Sequence, residues 1–267
     1  MAENGQIRIA LAGNPNCGKT TMFNNITGAK QHVGNYPGVT VEKKEGHTSF
    51  DGHELLFIDL PGTYSLTARS LDELVARNVI VNDNPDVIVN VLDASNLERN
   101  LYLAAQLLEL EKPMVIALNM SDVAEDMGIK YDIKKMSELT GATIVSTVGR
   151  TNVGTKELLE ATINVAASQQ APGVTINYGD LLEGKIAELV EALKKSGTVT
   201  YPLRWIAIKL LEKDADVIGK VMRFDNTEAV IQKAEAIREE IKDQVDLDVV
   251  FQEYRHRFAV EVYNKCL

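Results

Sequence analysis

A chain of 267 residues with 45% hydrophobic content is longer than one typical domain and carries enough apolar material for a sizeable core, so two domains are expected. Its 38 acidic residues against 28 basic ones leave a net charge of −10, which argues against a nucleic-acid partner because no basic stripe is available to neutralise phosphates. Two cysteines exclude a disulfide framework, four histidines lack zinc-ligand spacing, and no uninterrupted apolar run reaches the length of a membrane span.

The first apolar run, Ile7 to Ala12, reads as a buried strand, and Thr21 to Ile26 as the start of a helix. Between them lies Gly13-Asn14-Pro15-Asn16-Cys17-Gly18-Lys19-Thr20, a full match to G-x-x-x-x-G-K-[ST]. A loop bent around Gly13 and Gly18 can turn several backbone N–H groups toward one anion at the positive end of the helix dipole. Lys19 then reaches the outer phosphates and the Thr20 hydroxyl ligates Mg²⁺. Nucleotide contacts are expected from Gly13, Asn14, Pro15, Asn16, Cys17, Gly18, Lys19, Thr20 and Thr21.

Gly28 to Val39, punctuated by Gly34, Asn35, Pro37 and Gly38, reads as a mobile loop that ends at Thr40. Val41 to Phe50 and His53 to Asp59 read as two strands joined by an Asp51-Gly52 hairpin turn. Asp59-Leu60-Pro61-Gly62 is a D-x-x-G pattern, with Asp59 expected on Mg²⁺ and the Gly62 N–H on the γ-phosphate. Gly38, Val39 and Thr40 form the other switch, with Thr40 completing the Mg²⁺ shell. Asp86 to Asp93 is a further buried strand, with a helix from Leu97 to Leu110, and Pro113 to Asn119 repeats the unit.

That strand leads into Asn119-Met120-Ser121-Asp122. The Asp122 carboxylate can accept from guanine N1–H and from the exocyclic amine, whereas adenine offers an acceptor and then nothing. Asn119 would tie this loop to the P-loop. The competing reading is that Asn119 and Asp122 simply cap the following helix. Ser146-Thr147-Val148, after a short strand from Ala142 to Val145, offers a backbone N–H for guanine O6, and a helix follows from Gly154 or Thr155 to Ala167. Strands alternating with helices predict an α/β fold of the P-loop GTPase, Ras-like type: a doubly wound, mainly parallel sheet with ligand loops at the C-terminal strand ends.

The segment Val33 to Glu42, with Gly-Asn-Pro-Asn-x-Gly-Lys-Thr, Asp-Leu-Pro-Gly-Thr-Tyr and Asn-Met-Ser-Asp, resembles the cytosolic N-terminal region of FeoB, the bacterial and archaeal ferrous-iron transporter family. The resemblance implies a GTP-binding G domain over residues 1–170, hydrolysing GTP to GDP and phosphate with Mg²⁺. A small all-α, GDI-like helical domain follows over 171–267, coupling nucleotide state to a membrane-spanning permease part of the full-length protein. It implies a place at the cytoplasmic face of the inner membrane, a soluble fragment here, and leaves a homo-oligomer open. It also implies a K⁺ site, with Asn16 as ligand and backbone carbonyls from Gly34 and Tyr36, the cation acting electrostatically as an arginine finger does. Asn16, Lys19, Thr40 and Gly62 would then carry catalysis. Thr63 stands where Ras-like enzymes place a water-orienting Gln, so unassisted turnover of about 10⁻⁴ to 10⁻² s⁻¹ is expected. The iron assignment rests on the resemblance alone.

After Ala171-Pro172-Gly173, helices are predicted over Asp180 to Lys195, Leu203 to Leu211, Thr227 to Gln244 with Thr227 as N-cap, and Val249 to Cys266. Leu189 and Trp205 read as core, and the last helix is expected to lead toward the membrane in a longer protein. Two other readings remain at this point: a ribosome- or tRNA-associated P-loop GTPase, which would need an RNA-binding appendage that the acidic tail does not supply, and a non-catalytic GDP-sensing module.

Overall fold

The computed structural model describes residues 5–197 and 199–267. Two compact units result, one running through Val174 and including Ala259–Leu267, the other Thr175–Phe258. The last nine residues thus group with the first unit, where the sequence reading had kept all of 171–267 together.

The first unit is built from β1 (Gln6–Gly13), α1 (Lys19–Thr27), β2 (Gln31–Asn35), β3 (Glu42–Phe50), β4 (His53–Asp59), α2 (Leu71–Asn78), β5 (Val87–Asp93), α3 (Leu97–Leu108), β6 (Met114–Asn119), α4 (Ser121–Asp126), α5 (Ile133–Thr140), β7 (Thr143–Ser146) and α6 (Thr155–Ser168). Its seven-stranded sheet has the order β2-β3-β4-β1-β5-β6-β7. The pairs β4–β1, β1–β5, β5–β6 and β6–β7 are parallel, while β2–β3 and β3–β4 are antiparallel. The doubly wound, mainly parallel sheet is therefore present. Strand alternation sends Val87, Val89 and Val91 into a core with Met22 and Phe23 of α1 and with Leu158 and Ile163 of α6. The alternate positions Ile88, Asn90 and Leu92 face the other side, where α3 packs on β5. Because β1 has its two parallel neighbours on opposite sides, the loop after it opens at the switch point of the sheet.

The expected mobile loop over Gly28 to Val39 is corrected. Gln31–Asn35 forms β2, in register with Gly46 through Glu42, so residues 36–41 are the turn of a second hairpin, closed by Tyr36 N–H to Val41 O at 2.9 Å. The sequence carries no strand signal there because an edge strand with both faces in solvent has no apolar side to alternate, and Val33 is 53% exposed. The predicted β3–β4 turn forms with both Asp51 (φ 47°) and Gly52 (φ 77°) left-handed, which matches strand twist in a two-residue hairpin. Helix α2 had no counterpart in the sequence reading, although its start is spelled out by Ser-x-x-Glu: the Ser70 side chain accepts from Glu73 N–H at 3.2 Å, and the Glu73 carboxylate accepts from Arg69 N–H at 2.9 Å.

The second unit holds α7 (Asp180–Ser196), α8 (Leu203–Leu211), α9 (Ala215–Val221), α10 (Glu228–Ile241) and the first part of α11 (Val250–Cys266). Helix α7 buries Leu182, Ile186, Leu189 and Leu193 along one stripe, whereas α8 is buried almost all round and carries Trp205. Thr227 precedes α10 but does not cap it; its hydroxyl donates back to Val221 O at 2.8 Å and Phe224 O at 2.9 Å, closing the turn from α9 instead. Glu212 accepts from Lys209 at 2.7 Å and from Arg255 at 2.6 Å, an ion triad buried within the helices. Among the described residues no helix is long and apolar enough to cross a membrane.

Candidate functional site

Parallel pairing of Leu11 with Asp59 brings the end of β4 level with the start of the P-loop. The D-x-x-G backbone then runs along that loop, Leu60 N–H donating to Leu11 O at 3.0 Å and Thr63 N–H to Gly13 O at 3.3 Å. Lys19 and Asp59, both buried, meet in a direct ion pair. Gly18 is the N-cap of α1 at φ 86° and no side chain caps this helix, so its first-turn amides keep their donor capacity for an anion. Thr20 and Thr21 stand exposed on the first turn, Asn14 is buried under the loop, and Asn16 is exposed at its crown in the left-handed conformation (φ 68°). Burial pushes the Cys17 thiol up to about 11, so it stays protonated at neutral pH and fills space in the loop.

Lys19, Thr20, Asp59 and Gly62 line one cleft of about 280 Å³. Lys44 and Asp72 line it too and were missed by the sequence reading. The Ser-x-x-Glu start at Ser70 was the available signal for Asp72, since it announces a helix whose first turn carries that acidic residue.

Asn119 holds its own loop and the Thr147–Gly149 loop to the P-loop. Its Nδ2 donates to Cys17 O at 2.9 Å, and its Oδ1 accepts from Gly149 N–H at 2.9 Å and from the Thr147 hydroxyl at 3.3 Å. The N-cap of α4 is Met120, left-handed at φ 58° and without a side-chain cap, so the simple capping role for Asn119 falls away. Asp122 sits in the first turn of α4, its Oδ2 paired with Arg150 at 2.7 Å. Ser146 ends β7, and the Thr147 carbonyl accepts from Ser121 N–H at 3.3 Å, which seats this loop against the start of α4. The amides expected for guanine O6 are partly taken: Thr147 N–H donates to Leu118 O at 2.8 Å and Val148 N–H to Val153 O at 3.0 Å. Continuation of the β6–β7 register and the tight turn after it draw these two donors inward.

The remaining predicted residues lie on the β2–β3 hairpin. Gly34 is paired in β2, Gly38 and Thr40 are exposed in the turn, Val39 is half-buried, and the Tyr36 carbonyl accepts from Val39 N–H at 3.2 Å. Burial pushes the Tyr36 phenol up, with the Asp59 charge adding to it. Asn16, Gly34, Tyr36 and Thr40 are not among the residues lining the Lys19–Asp59 cleft.

A family profile described as ferrous iron transport protein B matches residues 7–162, and a second, for the FeoB cytosolic helical domain, matches residues 178–267. The chain belongs to the FeoB family. This FeoB chain is 45% identical over 216 residues to the Fe(2+) transport protein A/Fe(2+) transporter FeoB fusion protein of Porphyromonas gingivalis, an alignment covering 79% of this chain and 26% of that protein. It spans about a quarter of the length of the curated relatives it matches. A mutant of S. thermophilus NFeoB bound to GDP superposes with a TM-score of 0.89 at 36% identity, covering 98% of this chain and 99% of that one. The cytosolic domain of the T. maritima FeoB iron transporter in its GMPPNP form gives 0.85 at 32% identity, covering 97% and 98%. The helical-domain match falls where a ribosome-associated GTPase would need its RNA-binding appendage.

Proposed function

We propose that this chain is the GTP-binding, slowly GTP-hydrolysing regulatory part of a ferrous-iron transport protein, with a nucleotide domain over 1–170 and a helical domain over 171–267. The helical domain couples nucleotide state to a permease part in the inner membrane that moves Fe²⁺, and the present region lies on the cytoplasmic face. The observation that supports this most is the Asn119 clamp, which locks the base loop and the phosphate loop into one rigid frame. The GDP and GMPPNP carried by two similar structures agree with it.

In this reading Lys19 exchanges the Asp59 carboxylate for the outer phosphates, and the α1 amides meet the remaining phosphate oxygens. Thr20 and Asp59, which line the cleft, would hold Mg²⁺ through hard oxygen donors together with Thr40 from the β2–β3 turn, and the Asn16 amide with the Gly34 and Tyr36 carbonyls would hold a monovalent cation through neutral oxygens. Bound there, the two cations would spread the charge that develops on the transferred phosphoryl group. Thr63, buried beside the P-loop, lacks the side-chain amide by which a Gln orients the attacking water, which agrees with slow turnover.

Asp122→Asn tests the base assignment. Xanthine carries a carbonyl where guanine carries the amine, so an amide at 122 suits it; labelled-GDP affinity should fall at least about tenfold while XDP affinity rises. A variant that keeps its preference for GDP, or a parent chain that binds ADP as well as GDP, would defeat the reading.

A further inference from the structure

We infer that Arg150 is a positioning residue that orients the Asp122 carboxylate and thereby sets the guanine selectivity of this site; the inference rests on the guanine-binding reading above.

The guanidinium donates to Asp122 Oδ2 at 2.7 Å, although Arg150 is itself 79% exposed and Asp122 only 28%. A cation on so exposed a stem is ordinarily a weak partner, because holding it costs rotamer entropy. Here the backbone fixes where that stem begins, which leaves only the side-chain torsions to be ordered. Gly149, immediately before Arg150, is held on both sides, its N–H donating to Asn119 Oδ1 at 2.9 Å and its carbonyl accepting from Asn25 Nδ2 at 2.5 Å. Beyond Arg150 the loop closes at once, Thr151 N–H donating to Val148 O at 3.0 Å and Val148 bridging to Val153. Arg150 is therefore the tip of a short pinned loop, and the pin is Asn119, the same residue that holds the P-loop.

A carboxylate that reads guanine must present two acceptors in the plane of N1–H and the exocyclic amine. Each carboxylate oxygen has more than one lone pair, so the Arg150 bond to Oδ2 restricts side-chain rotation without consuming the capacity to accept from a base. Loss of that bond leaves the acceptors present but disordered. The consequence falls on the donor that only guanine-type bases carry, and discrimination against hypoxanthine, which lacks the amine, weakens.

The test uses the 267-residue chain, mant-GDP, and competition by GDP and by IDP, for the parent, Arg150→Lys, Arg150→Ala and Arg150→Glu. An exposed pair of this kind is worth about 2- to 5-fold. Arg150→Ala should therefore release mant-GDP faster by that factor and lower the GDP-over-IDP affinity ratio similarly at an unchanged melting temperature. Lys should retain part of the ratio at low salt only, and Glu should lose more than Ala through repulsion of Asp122. Unchanged release and an unchanged ratio in Arg150→Ala would overturn the proposal while leaving guanine binding intact. A parent chain that does not bind mant-GDP would overturn both.

Discussion

Gly18 meets two demands that no other residue satisfies together. Its φ of 86° is left-handed, and a Cβ built there would lie 2.2 Å from Asn119 Nδ2. Gly18→Ala should thus lose labelled-GDP binding and destabilise the chain by more than about 1 kcal/mol, the cost of a non-glycine residue in this region before any displacement of Asn119; thermal melts followed by circular dichroism check the second part. Asn119 is the complementary case. Removing its amide in Asn119→Ala leaves the buried partners Cys17 O, Gly149 N–H and the Thr147 hydroxyl without their bonds. At roughly 1 kcal/mol each, a loss of about 3 kcal/mol is expected in denaturant unfolding, with nucleotide release accelerated as well. Retention of parental stability would show that the clamp is decorative. Both residues stood in the sequence as motif letters, and their mutual contact did not, since 101 positions separate them in the chain.

At the scale of elements, the helical unit contains the group with the best-defined pH response. Burial raises the Glu212 carboxyl, but the charges of Lys209 and Arg255 and their hydrogen bonds outweigh it and hold the group down to about 2 from an ordinary 4.5. A depressed carboxyl contributes stability that is complete above the unfolded value and disappears as pH falls through the folded one, so the window is from about 4.5 down to about 2. The contribution at stake is on the order of 3 kcal/mol. Trp205, the only tryptophan, is buried on α8 in the same helix that carries Lys209, so its emission should report unfolding of this unit across that window. Glu212→Gln should flatten the pH dependence and, because it leaves Arg255 buried beside a neutral partner, lower stability at pH 7. An unaltered acid profile in the variant would place the acid-sensitive step elsewhere.

For the whole molecule, the prediction is kinetic and ionic. GTP hydrolysis by the full chain with Mg²⁺ should be faster in KCl than in NaCl at equal ionic strength, and Asn16→Ala should remove the difference while mant-GDP binding persists; equal rates in the two salts would eliminate the K⁺ site. Asn16 is suited to the role by its exposed, left-handed place on the crown of the P-loop. Gly34 and Tyr36 approach the question from the β2–β3 hairpin, whose turn conformation decides whether their carbonyls reach the same cation.

What the residues determined unaided was most of what carries local periodicity or a short-range pattern, helix α2 being an exception. The buried strands and the apolar helix stripes were legible because burial on one or both faces writes directly into the order of side chains. The P-loop, D-x-x-G and N-x-x-D segments were legible because their chemistry needs specific residues at fixed spacing. The tertiary structure alone decided what depends on partners distant in the chain. It made Gln31–Asn35 an edge strand through backbone pairing that leaves no side-chain trace. It withdrew the Thr147 and Val148 amides into the protein, set Asp72 on the cleft lined by Lys19 and Asp59, and stood Arg150 over Asp122. In each of these, long-range hydrogen bonds and ion pairs place the group, and such bonds constrain position in space while leaving neighbouring residues in the sequence free.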